Sequence, residues 1–199
     1  MAKKIDRRKL RTKKMIKQAV LELIEEKGFK HVTVSDITSR ADINRGTFYL
    51  HYRDVGDLME NYEEELLEEI RDRAKYVDLS AFATYKNKPY PVIVSLLDFI
   101  AENKDLLRVL LGANGNPAFV QKWRQFVSDQ ISEKMTVTQP DSGKMDVPRE
   151  YIAVFVSSIH IGIIQYWLES DIDRTPEEIA SILTKIAVQG PLATISSRE

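Results

Sequence analysis

Apolar residues recur along this chain at helical spacing, and no segment shows the two-residue alternation of a half-buried strand. Over 14–27, Ile16, Ala19, Val20, Leu23 and Ile24 form an i, i+3, i+4, i+7, i+8 stripe, which predicts an amphipathic helix. Gly28 supplies its stop, with Lys27 well placed in the last turn. Thr33, followed three residues later by Asp36, reads as an N-cap with a weakened capping box, opening a short helix that ends near Ala41 and Asp42. Asn44 is a second N-cap, for a short helix running to about Tyr52. After a break at Arg53-Asp54-Val55-Gly56, a helix over 57–76 carries Leu58, Met59, Tyr62, Leu66 and Ile70 on one side. Asn87, Pro89 and Pro91 mark 78–91 as a loop.

Further helices are expected over 92–101, 104–111 and 118–135, with a loop over 136–148. The segment 151–168 is apolar nearly all round, yet it falls short of the roughly 20 apolar residues of a membrane span and contains His160 and Gln165. Such a helix must be covered on every side, by the protein's own core and by a partner subunit. In the last helix Thr175 is the N-cap, Pro176 stands at N1, Glu178 completes a capping box and Gly190-Pro191 ends it. A dimer interface is expected from Ile159, Gly162 and Ile163 on the first of these helices and Ile179, Ile182, Leu183 and Ile186 on the second. Ser158 and Gly162, four apart and small, would permit close approach.

Composition adds exclusions. The 199 residues, 43% hydrophobic and 30% charged, suit a globular chain that needs no staple. Absence of cysteine excludes disulfides, thiolate zinc sites and a cysteine nucleophile, and fits a reducing cytoplasm. The basic amino terminus leads into no apolar signal-peptide segment, and no membrane association is expected. There is no HExxH, no GxSxG, no phosphate-cradling glycine loop and no carboxylate set with metal spacing, so neither enzyme activity, cofactor nor metal is expected. The acidic run Glu63, Glu64, Glu65, Glu68 and Glu69 reads as a solvated helix face.

Charge distribution changes the picture more. The net charge is -1, but residues 1–53 hold 14 Lys and Arg against 6 Asp and Glu. That front end suits a polyanionic partner. Lys3, Lys4, Arg7, Arg8, Lys9, Arg11, Lys13, Lys14 and Lys17 supply much of the excess, and residues 1–9 carry no apolar stripe, so they are expected to form a flexible arm. Next to this arm, the two short helices and their tight turn form a helix-turn-helix candidate. Val34, Ile37, Ala41, Phe48 and Tyr52 can pack inward, leaving the tip Arg45-Gly46-Thr47 free to enter a major groove. Arg45 can offer a bidentate pair to guanine, Gly46 permits close approach, and Thr47, Tyr49 and His51 carry groups for phosphates.

The run TVSDITSRADINRGTFYLHYRDVGDLM, preceded by LELIEEKGF, resembles the DNA-binding domain of the TetR/AcrR family of bacterial transcription regulators over about residues 10–60. One departure is Val55, where the family often has Lys. The resemblance implies an all-α fold: an N-terminal three-helix helix-turn-helix domain over 1–60 and a C-terminal helical dimerisation and ligand-sensing domain over 61–199. It implies a homodimer on a double-stranded, pseudo-palindromic DNA operator, contacted by Thr33, Ser35, Asn44, Arg45, Gly46, Thr47, Tyr49 and His51, with Lys3, Lys4, Arg7 and Arg8 on the backbone. It further implies a cavity for an unidentified small-molecule effector, with Phe99, Trp123, Phe126, His160, Tyr166 and Trp167 as candidate lining residues, although aromatics at helical spacing also serve as core. A regulator acting through a protein partner is the competing reading; the basic arm and the Arg45-Gly46-Thr47 tip favour DNA.

Overall fold

Capping residues set most of the helix boundaries. The computed structural model of the protein describes residues 7–82, 84–85, 88–138, 145–170 and 172–192. Its helices are α1 (Arg7–Lys27), α2 (Val34–Arg40), α3 (Arg45–Tyr49), α4 (Val55–Ala74), α5 (Leu79–Phe82), α6 (Pro91–Glu102), α7 (Lys104–Leu111), α8 (Pro117–Thr138), α9 (Arg149–Glu169) and α10 (Pro176–Gln189). Among the described residues there is no strand. Gly28 ends α1 at φ 81°, a backbone setting that side chains resist, and its N–H returns to the Ile24 carbonyl at 2.8 Å. At α2, the Asp36 N–H donates to the Thr33 hydroxyl at 3.2 Å and the Thr33 N–H donates to Asp36 Oδ2 at 2.8 Å. Thr175 and Glu178 repeat this capping box at α10.

Four boundaries depart from the periodic pattern. Helix α1 begins at Arg7, well ahead of its apolar stripe, because straight-chain Lys and Arg are good helix formers. Helix α4 begins at Val55 because Asp54 caps it, Oδ1 accepting from the Asp57 N–H at 2.8 Å. Within the expected loop over 78–91, Asp78 Oδ1 accepts from the backbone N–H groups of Ser80 and Ala81 and nucleates α5. Helix α8 continues to Thr138, into the stretch expected to be loop; 139–144 lie outside the described residues.

The first four helices bury Ile16, Val20, Ile24, Ile37, Phe48, Leu58 and Met59 together. Behind them, α8 packs broadly on α9, and α6 lies against both α4 and α10. Helix α4 serves both halves, so the expected boundary at residue 60 falls inside it: its Tyr62 meets Tyr52 just beyond α3, whereas its Ile70 and Ala74 face α6 and α8 across a small cavity in the rear. The turn after α7 ties the halves further, since Phe29 N–H donates to the Asn114 carbonyl at 3.0 Å. Glu63 is buried there, with Asn116 Nδ2 at 3.4 Å and Lys122 Nζ at 3.6 Å, and burial pushes its carboxyl up.

Helix α9 has the length and apolarity of a membrane span. In the fold its Ala153, Ser157, Ile161, Ile164 and Leu168 face the interior, and Gln165 donates to the Leu111 carbonyl at 2.7 Å. It is therefore covered on one side only, with Tyr151, Val154, Phe155 and Tyr166 exposed on the other.

Candidate nucleic-acid interface

The turn between α2 and α3 reverses the chain in a few residues. Asp42 takes a positive φ of 50°, which Asp tolerates better than most side chains, and Ile43 N–H donates to the Thr38 carbonyl at 3.0 Å. Helix α3 is then oriented by its aromatics. Phe48 and Tyr52 are buried, their rings 5.8 Å apart, and Tyr52 meets Tyr62 of α4 at 6.2 Å. With that face fixed inward, Asn44, Arg45, Gly46, Tyr49 and Leu50 are the exposed positions of the segment. A Cβ built on Gly46 would meet nothing within 4 Å, so the space above it is open.

The expected contact residues fall into two groups. Arg45 and Tyr49 stand one turn apart on the open face, and Arg45 has no ion-pair partner among the described residues. Asn44 occupies the N-cap position without a side-chain capping bond, Ser35 is exposed, and Thr47 is half-buried. Thr33 is exposed, but its hydroxyl already serves the α2 cap and donates to Asp36 Oδ2 at 2.6 Å. His51 is half-buried beside Tyr52, and its enclosed Nδ1 has no hydrogen-bond partner. Burial, reinforced by nearby Lys9 and Lys13, holds its imidazole below the usual value and favours the neutral ring.

Those lysines lie on α1. Lys9, Lys13 and Lys17 recur every four residues; Lys13 Nζ lies 3.8 Å from Glu65 and Lys17 stacks over the Tyr62 ring at 5.7 Å. Arg7 and Arg8, expected in a flexible arm, instead form the exposed first turn of α1, because the helix propagates through the basic residues. Lys3 and Lys4 lie outside the described residues. One exposed residue escaped the sequence reading: Leu50, 81% exposed at the end of α3.

In the rear half, a cavity of about 100 Å³ lies between α4, α6, α8, α9 and α10. Of the candidate lining residues, Trp123, Phe126 and His160 stand at this cavity. Phe99, Tyr166 and Trp167 do not. Phe99 is buried beneath the Arg73 guanidinium at 4.4 Å, Tyr166 is exposed, and Trp167 Nε1 donates to the Arg174 carbonyl at 3.0 Å. The lining is apolar except for Gln130, Lys134 and His160, and Lys134 Nζ is held at 2.8 Å by the Val77 carbonyl. His160 Nδ1 lies 2.8 Å from the Val156 carbonyl, which can only accept, so the neutral ring carries its proton on Nδ1.

The residues expected at a dimer interface also divide. Ile179 and Leu183 are 4% and 3% exposed within the single chain, so they belong to its own core and not to a free surface. Ile159, Ile163, Ile182 and Ile186 are half-buried, and Gly162 is exposed with open space above it.

Two family models match: the tetR family of bacterial regulatory proteins over residues 16–61, and a transcriptional regulator C-terminal region over 87–189. YxbF of Bacillus subtilis, an uncharacterized HTH-type transcriptional regulator, is 22% identical over 178 residues, covering 87% of this chain but only 44% of YxbF. The chain thus spans less than half of that relative's length. A TetR transcriptional regulator from Streptococcus agalactiae superposes with a TM-score of 0.64 at 23% identity, over 92% of this chain and 96% of that one. FadR of Thermus thermophilus, a TetR-family repressor solved with lauroyl-CoA, gives 0.53 at 20% identity over 94% and 96%. With its helix-turn-helix in front and the matched regulatory region behind, the chain belongs to the TetR family of DNA-binding transcriptional regulators.

Proposed function

We propose that this chain acts in the cytoplasm as a ligand-responsive homodimeric repressor of a pseudo-palindromic operator. The observation that carries this reading is the open face of α3, where Arg45, without an ion-pair partner among the described residues, and bare Gly46 stand outward, while Lys9 and Lys13 of α1 lie near His51 just beyond the helix. Arg45 reads a base edge, Tyr49 and the basic residues of α1 hold phosphates, and the exposed side of α9 joins two subunits so that two recognition helices meet successive major grooves.

The cavity supports ligand response. Its roughly 100 Å³ is below the roughly 300–1,000 Å³ of ordinary ligand sites, so an effector that enters must widen the space between the helices that line it, α8 among them. Because α8 also holds buried Glu63 of α4 through Lys122, such movement reaches the helix-turn-helix. FadR's lauroyl-CoA gives a precedent, in this fold, for an effector that carries an apolar acyl chain.

Selection of bound duplexes from a random pool tests the reading. Two inverted half-sites should be enriched, and Arg45→Ala should relax preference at one position per half-site at a cost of about 1–3 kcal/mol. Failure to enrich any sequence would favour the protein-partner reading instead.

A further inference from the structure

On the same reading of α3 as a recognition helix, we propose that Leu50 is a specificity-determining residue that reads one thymine per half-site through its C5-methyl group. Leu50 is 81% exposed, the most exposed large apolar side chain described in the front half of the molecule. A lone exposed leucine is ordinary on a protein surface. Its placement here is not. The Leu50 N–H donates to the Gly46 carbonyl at 3.1 Å, so helical geometry continues through Leu50 and sets it one turn beyond Gly46. Phe48 and Tyr52, both buried, fix the opposite side inward, and Arg45, Gly46, Tyr49 and Leu50 form one outward patch.

Chemistry then identifies what Leu50 can recognise. An isobutyl group has neither donor nor acceptor, so it can neither hold a phosphate nor follow the hydrogen-bond code of base edges. The one alkyl group displayed in the major groove is the thymine methyl. Gly46, lacking a side chain, lets the helix approach closely enough for that contact. Burying a methyl against Leu50 corresponds to about a fourfold gain in affinity per half-site, or about fifteenfold for two.

The test uses the full chain and the operator recovered from a random duplex pool, with thymines replaced pairwise by deoxyuridine in the two half-sites. Wild-type protein should lose about fifteenfold at one symmetric pair. Leu50→Ala, whose side chain supports no core, should melt like wild type, bind the thymine operator as weakly as wild type binds the deoxyuridine one, and be indifferent to the replacement. If wild type ignores every replacement, or Leu50→Ala keeps its sensitivity, the assignment of Leu50 fails while DNA binding stands. If no duplex is enriched at all, the assignment falls together with the reading it rests on.

Discussion

Gly46 lies in the first turn of α3 without a positive φ, and a Cβ there would meet nothing. Folding alone would accept alanine, and would gain about 0.5–1 kcal/mol from the lower backbone freedom of the unfolded chain. Gly46→Ala should therefore raise the melting temperature and weaken operator binding at once; a variant that binds DNA as well as wild type would show that nothing approaches this position. Gly28 is the contrasting case, since its φ of 81° is itself demanded by the end of α1. Gly28 was legible in the sequence as a helix stop, and the structure leaves open space above Gly46, where the sequence suggests close approach. Leu50 was not legible, because an apolar residue between Tyr49 and His51 looks like core until Phe48 and Tyr52 are seen to point inward.

At the scale of the element, α2 is held by its cap. Asp36 accepts from Lys27 Nζ at 2.6 Å and from both the hydroxyl and the N–H of Thr33, and these bonds, Lys27 foremost, lower its pKa from 3.8 to about 2. A carboxyl depressed in the folded state contributes stability above its unfolded pKa and loses it as pH falls through the folded one. The difference in urea stability between wild type and Asp36→Asn should therefore be constant above 3.8 and close as pH drops toward about 2. Thr33→Ala should cost about 1 kcal/mol at neutral pH. A pH-independent gap would mean that Asp36 does not hold these bonds in solution. The caps at Thr33 and Thr175 were visible because their chemistry is local. The start of α1 was hidden because Arg7 to Lys13 offer propensity without an apolar period. Periodicity failed in a different way at α10: it shows that Ile179 and Leu183 are covered, but whether by the same chain or by a second one is a question of packing. The cavity was half legible for the same reason, since Trp123 lining a space and Phe99 filling one share one pattern.

For the molecule as a whole, α9 carries four of the exposed large apolar side chains among the described residues: Tyr151, Val154, Phe155 and Tyr166. Tyr151, Phe155, Ser158, Gly162 and Tyr166 recur at intervals of three and four with Val154 beside them, all exposed, Val154 and Phe155 at 56% and 51%. A stripe of this kind on a helix otherwise packed into its own domain needs a partner, and a second copy meeting it across a two-fold axis would present the same stripe in return. Gly162 makes the idea testable without disturbing the protomer. Nothing stands within 4 Å of a Cβ there, so Gly162→Leu fits the isolated chain, and helix propensity improves by up to about 1 kcal/mol. In a close α9–α9 contact the same side chain becomes a wedge. The variant should keep its helical content and melt no lower than wild type, yet sediment as a monomer where wild type is a dimer. Operator affinity should fall with it by about 10²–10⁴-fold, because the second half-site is no longer delivered at the high effective concentration that tethering provides. Binding to a single isolated half-site should be unchanged. A Gly162→Leu protein that remains dimeric would move the interface off this stretch of α9, and a wild type that is monomeric at micromolar concentration would overturn the dimer itself.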